Sequence, residues 1–141
     1  MDKEMITICD TMNDTGNMVT YSSCIGHGDD ELGIETGRME VFSDCNGHIA
    51  FHCKYDYVDE LCAIIDAIDS TELDLSINYS HQVYASQCGI EEGEGWISFD
   101  LSIRSPLEQD RIRIVNKLTE YFKKSIQGKN KRLVKKYKCV C

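Results

Sequence analysis

Two hydrophobic periods alternate along this chain, and the switches between them predict its elements. Residues 5–9, Met-Ile-Thr-Ile-Cys, alternate loosely and predict a short first strand, with a loop rich in Asn, Asp, Thr and Gly after it. Met18 to Ser23 predicts a strand running into Cys24-Ile25-Gly26-His27, and the stretch through Asp29, Asp30, Glu31 and Gly33 predicts an acidic loop. Asn46-Gly47 lies between two β-rich runs and predicts a type I′ hairpin, because such a turn needs positive φ at both central residues. In that register Cys45 faces His48 and Phe42 faces Phe51. Faces alternate along a strand, so Phe42, Ile49, Phe51 and Cys53 would turn to the core, and Ser43, Cys45, His48 and His52 to the other side.

The period then lengthens. Val58, Leu61, Cys62, Ile65 and Ile68 recur at three and four residues and predict a helix over 55–69, with Asp56 near its start. Residues 72–79 alternate apolar and polar as a strand with one wet face, 81–87 read as its neighbour, and 88–95 form a glycine-rich acidic loop. Trp96 to Ile103 predicts a further strand. Ser105-Pro106-Leu107-Glu108 has the pattern of a capping box with proline at the first helical position, and Ile114, Val115, Leu118, Phe122 and Ile126 form the stripe of the helix it opens, with Gly128 as a stop. The order is that of an α+β fold: an antiparallel sheet of about five to six strands, the Asn46-Gly47 hairpin included, with two helices on one face. Residues 1–128 are expected to form one domain and residues 129–141 a basic tail.

Charge changes this picture more than composition does. The chain has 141 residues, 42% hydrophobic and 28% charged, with no run resembling a membrane span and no signal-peptide pattern at its start, so a cytoplasmic protein is expected. Its net charge of −9 is unevenly spread. Residues 1–103 hold 21 of the 24 acids against three bases, a formal −18, whereas residues 104–141 hold 12 bases against three acids. An acidic body of this kind steers basic partners toward itself. Asp29, Asp30 and Glu31, with Glu91, Glu92 and Glu94, are the candidate partner-binding carboxylates. Arg111, Arg113, Lys123, Lys124, Lys131, Arg132, Lys135 and Lys136 are the candidate basic surface.

One pattern is written twice. TGNMVTYSSCIGH over Thr15–His27 and TGRMEVFSDCNGH over Thr36–His48 agree at seven of thirteen positions. Each copy ends in Cys-x-Gly-His, which sets out Cys24, His27, Cys45 and His48 as C-x2-H, seventeen residues, C-x2-H. Two thiolates and two imidazoles suit a closed structural zinc site. The same residues equally suit a duplicated hairpin without metal, since Asn-Gly turns and buried cysteines need no ion. With eight cysteines in a reducing compartment, metal binding or plain burial is expected before disulfides.

Function is read from these features in order. The first expectation is a non-enzymatic binding protein whose acidic body engages a basic partner, one that itself handles nucleic acid. In size and charge the body resembles small phage-encoded inhibitors that mimic nucleic acid, some anti-CRISPR proteins among them, a likeness of class that carries no site residue. The alternative is a zinc-stabilised module touching nucleic acid through the basic C-terminal helix and tail. An enzyme using Cys24 or Cys45 with a neighbouring histidine comes third. Phosphate-binding glycine loops of the common types are absent from the sequence. The ending KYKCVC resembles the doubly prenylated tails of Rab-type GTPases, but the phosphate loop of that family is missing.

Overall fold

The computed structural model describes residues 2–36, 46–68, 73–77 and 95–127. The class is α+β, with helices α1 (Lys3–Asp14), α2 (Glu31–Thr36), α3 (Val58–Asp66) and α4 (Glu108–Gln127) and strands β1 (Met18–Cys24), β2 (Gly47–Lys54), β3 (Leu73–Ile77) and β4 (Trp96–Ile103). The described strands form one antiparallel sheet in the order β1-β2-β4-β3. β2 and β3 run parallel, joined through α3, and β4 returns into the gap between them. This is a split β-α-β arrangement.

The first strand expected from sequence is instead the middle of α1. Met5, Ile8, Cys9 and Met12 are buried, and their spacing of three, four and seven is helical; the apparent alternation at 5–9 arises because Ile6 stays exposed on the outer face. The described residues thus hold four strands and four helices, where five to six strands and two helices are expected for the chain. The expected strand over 81–87 lies outside the described residues.

The Asn46-Gly47 hairpin is also corrected. β2 is paired with β1 on one edge and with β4 on the other over almost its whole length, and the partner strand expected over residues 41–45 lies outside the described residues. The backbone does not turn at Asn46-Gly47 as expected: among the described residues positive φ occurs only at Gly16, Gly26, Gly28 and Gly95. Gly47 serves another purpose. A Cβ at this position would lie 3.1 Å from the Ile25 carbonyl oxygen, 3.2 Å from the Ile103 Cβ and 3.3 Å from the Cys24 carbonyl oxygen. The residue is glycine because two neighbouring segments close on it. Gly47→Ala is therefore expected to destabilise the fold by about 1–3 kcal/mol, measurable as a lowered thermal midpoint.

One face of the sheet carries the core. Ile49, Phe51 and Cys53 of β2 and Phe99, Leu101 and Ile103 of β4 join Met5, Ile8 and Met12 of α1, Leu61 and Ile64 of α3, and Ile114, Val115, Leu118 and Phe122 of α4 in a single apolar cluster. Within α3, Ile64 is buried and Cys62 exposed, the reverse of the sequence expectation for Cys62. α4 packs against both α1 and α3. Tyr57, in the 3-10 turn Tyr55–Tyr57, shares a 3.0 Å hydrogen bond with Ser125 of α4, whose hydroxyl donates to Glu60 of α3 at 2.6 Å. A second, small cluster of Val19, Tyr21 and Ala50, with Trp96 against it, lies on the opposite face.

Candidate functional site

At the end of the sheet where β1 and β4 finish and β2 starts, the chain is fastened by a loop. Residues 25–30 leave β1 and lie along the start of α4. The Arg111 side chain is fully buried and donates from Nε to the Ile25 carbonyl at 2.9 Å, from one terminal nitrogen to the Ser105 carbonyl at 2.6 Å, and from the other to the Gly28 carbonyl. Gly26 and Gly28 hold φ of +95° and +66°, which only glycine adopts freely and which exposes these carbonyls to one guanidinium. The Asp29 carboxylate accepts the Glu108 N–H at 2.8 Å, and the Asp30 N–H donates to the Pro106 carbonyl at 2.7 Å. A carboxylate at a helix N-terminus satisfies an orphan donor and the positive end of the dipole together.

Two sequence assignments change as a result. Arg111 belongs to the interior, not the basic surface, because it sits three and four residues before Ile114 and Val115 on the buried face of α4. Asp29 is a helix cap supplied from far along the chain. The expected capping box is also displaced: α4 starts at Glu108, Ser105 Oγ accepts the Leu107 N–H at 3.3 Å, and its hydroxyl donates to Asp110 at 3.3 Å in place of Glu108. Of the other candidate bases, Arg113, Lys123 and Lys124 are exposed, Arg113 lying 3.7 Å from Asp110 and Lys124 5.6 Å from the Tyr121 ring centre. Lys131, Arg132, Lys135 and Lys136 lie outside the described residues, as do Glu91, Glu92 and Glu94. Glu31, at the start of α2, is exposed.

The two Cys-x-Gly-His ends differ where both are described. In the first copy Cys24 ends β1 and His27 stands exposed in a bend after Gly26; in the second, Gly47 and His48 begin a strand. Cys24 and His48 are nonetheless directly opposite in the β1–β2 register. Cys45 lies outside the described residues. Among the described residues no three Cys, His, Asp or Glu side chains converge as a metal site.

The opposite face of the sheet carries a row of polar groups instead. The β1–β2 register shifts between Thr20 and Ser22, so that Tyr21 and Ser22 both turn away from the helices while Thr20 and Ser23 turn toward α1. Ser22 Oγ then lies 3.3 Å from His48 Nε2. Further along, His52 is buried with its Nδ1 2.6 Å from Ser98 Oγ and its ring 4.7 Å from that of Tyr21. Asp100 of β4 pairs with Ala50, two residues beyond His48 on the same face. Burial pushes the Asp100 carboxyl above its ordinary range, and the nearby His48 pulls it back down. A strand of strict period two would have sent Ser22 to the core; the bulge is the feature sequence reading missed.

No protein-family model and no curated protein matches the sequence, and no solved structure matches the fold. Its function is therefore read from its own geometry. Among the described residues no helix is long and apolar enough to cross a membrane.

Proposed function

We propose that this is a binding protein whose acidic surface engages a basic protein partner, of the kind that handles nucleic acid, by presenting carboxylates where that partner would take a phosphate backbone. The observation that carries the reading is the segregation of charge, −18 over residues 1–103. It is supported by where the described carboxylates stand. Asp2 and Asp10 beside and along α1, Glu31 and Glu35 on α2, and Asp56, Asp59 and Asp66 on and before α3 are exposed and make no ion pair among the described residues. Unneutralised carboxylates spread over several elements give a broad negative field, which acts on encounter rate and register more than on contact energy. Direct binding of nucleic acid through α4 is the weaker reading, since Arg111 lies inside the fold and α4 packs against α1 and α3, two helices that carry exposed carboxylates.

The test uses labelled protein titrated with nucleic-acid-binding proteins eluted from heparin, with and without competing duplex DNA. Binding is expected to be displaced by the DNA and to weaken steeply with salt. The double reversal Asp59→Lys, Asp66→Lys is expected to weaken it about tenfold. Lys123→Glu, Lys124→Glu is expected to leave it unchanged. Complexes indifferent to DNA, or lost on reversing the lysines alone, would overturn the reading in favour of the basic helix.

A further inference from the structure

The polar row on the outer face of the sheet holds an arrangement that the binding reading does not use. Ser22, His48 and Asp100 sit on three adjacent strands, β1, β2 and β4, all on the side away from the helices. His48 is in the middle, with Nε2 directed at Ser22 across one strand gap and Asp100 on the strand across the other. Each of the three is partly buried. That is enough to strengthen their mutual electrostatics while leaving the group reachable from solvent. Strand geometry explains why the contact exists: the bulge at Tyr21–Ser22 re-aims Ser22 by one residue, from the core to the imidazole.

We propose that Ser22 is a nucleophile toward carboxylic esters, with His48 as its general base and Asp100 as a positioning residue for the His48 ring. This proposal goes beyond the binding reading and is independent of it. In the first step Ser22 Oγ bonds to the ester carbonyl carbon as its proton passes to His48 Nε2. The bond from that carbon to the leaving alcohol then breaks, and the alcohol departs with the proton His48 holds. An acyl ester of Ser22 remains. Water adds to it, giving its proton to His48, and the carboxylic acid leaves as Ser22 recovers its hydrogen. Cys24, opposite His48 in register, is the competing nucleophile; its sulfur accepts the Gly26 N–H at 3.4 Å. Ser22 is favoured because its oxygen is the atom placed on Nε2.

The experiment incubates the full chain with p-nitrophenyl acetate, follows nitrophenolate release, and locates the acetyl group by peptide mass mapping. Acetylation of wild-type Ser22 is expected, and Ser22→Ala is expected to abolish the enzymatic release. His48→Ala should slow release by about 10²-fold, with partial recovery on adding imidazole, an outcome that a merely structural role for the ring would not produce. Asp100→Asn should lower kcat without raising KM, and Asp100→Glu should restore part of it. Cys24→Ser should leave the rate unchanged. Acetyl groups found on lysines or Cys24 but not on Ser22 of the wild-type chain would overturn the proposal, whatever the variants do. So would a folded His48→Ala protein acetylated at Ser22 as fast as wild type.

Discussion

Arg111→Ala is expected to lower folding stability by on the order of 4 kcal/mol, read as a large drop in the urea midpoint with an unchanged slope. The guanidinium is buried and donates to three backbone carbonyls from two separate segments, Ile25 and Gly28 on one side and Ser105 on the other. A hydrogen bond to a charged group contributes about 1.5–3 kcal/mol, and a buried acceptor left without a donor costs a further ~1–3 kcal/mol. The loop can shift and admit water, so the terms do not sum in full. Arg111→Lys tests the geometry separately: an ammonium is a single point that cannot span three carbonyls, so roughly half the loss is expected to remain. Arg113→Ala, which removes an exposed arginine two residues away, should change stability by no more than about 0.5 kcal/mol. If both arginines behaved alike, Arg111 would belong on the surface after all. In Arg111→Ala the Asp30 amide, bonded to Pro106, should also exchange faster with solvent, because the loop it belongs to loses its anchor.

That residue also shows what could be read from the sequence and what could not. Period-two alternation located β4 and the core face of β2, because each has one face in a continuous apolar core; of β1 only Met18 joins that core. The three- and four-residue spacing located α3 and α4 for the same reason. Extending the window at the start from five residues to ten would have found α1, since Met5, Ile8, Cys9 and Met12 mark a helical face that a five-residue stretch hides. Extending the α4 stripe backward by one turn would have placed Arg111 inside. Gly47 was not legible. A glycine needed for close approach and a glycine needed for positive φ look the same in sequence, and the preceding Asn favoured the wrong explanation. Asp29 capping Glu108 and Ser22 meeting His48 were not legible either, since one depends on contact between distant segments and the other on a one-residue bulge. The Cys-x-Gly-His ends illustrate the general point where both are described: Gly26-His27 follows β1, whereas Gly47-His48 opens β2.

Alkaline pH supplies the second large effect, because two buried acids in contact with the core resist ionisation. Burial, with smaller contributions from Asp56 and Cys62, pushes the Cys53 thiol up from 9.0 to about 12. Burial likewise pushes the Tyr57 phenol up from 10.0 to about 12, against the opposing effect of its hydrogen bond with Ser125, with Glu60 and Cys53 adding to the rise. Both groups are protonated in the fold at a pH where the unfolded chain has released its protons. Their stabilising contribution is therefore complete below about pH 9 and is lost as pH rises toward 12. At about 1.4 kcal/mol for each unit, Cys53 accounts for roughly 4 kcal/mol and Tyr57 for roughly 3 kcal/mol. Since part of the Tyr57 rise comes from Cys53, the two do not add in full, and their joint effect is expected to be on the order of 5 kcal/mol. Urea titrations at stepped pH should show stability level to about pH 9 and then falling, the first part of the fall governed by Cys53. Cys53→Ala should lose stability at neutral pH by leaving a small cavity, yet delay the onset of the fall by about one pH unit, to where tyrosine begins to ionise in the unfolded chain. Tyr57→Phe should do the converse, keeping the early onset and flattening the later part. A wild-type protein whose stability stayed level through pH 11 would mean that both groups reach solvent, and the packing of β2 against the 3-10 turn and α4 would have to be redrawn.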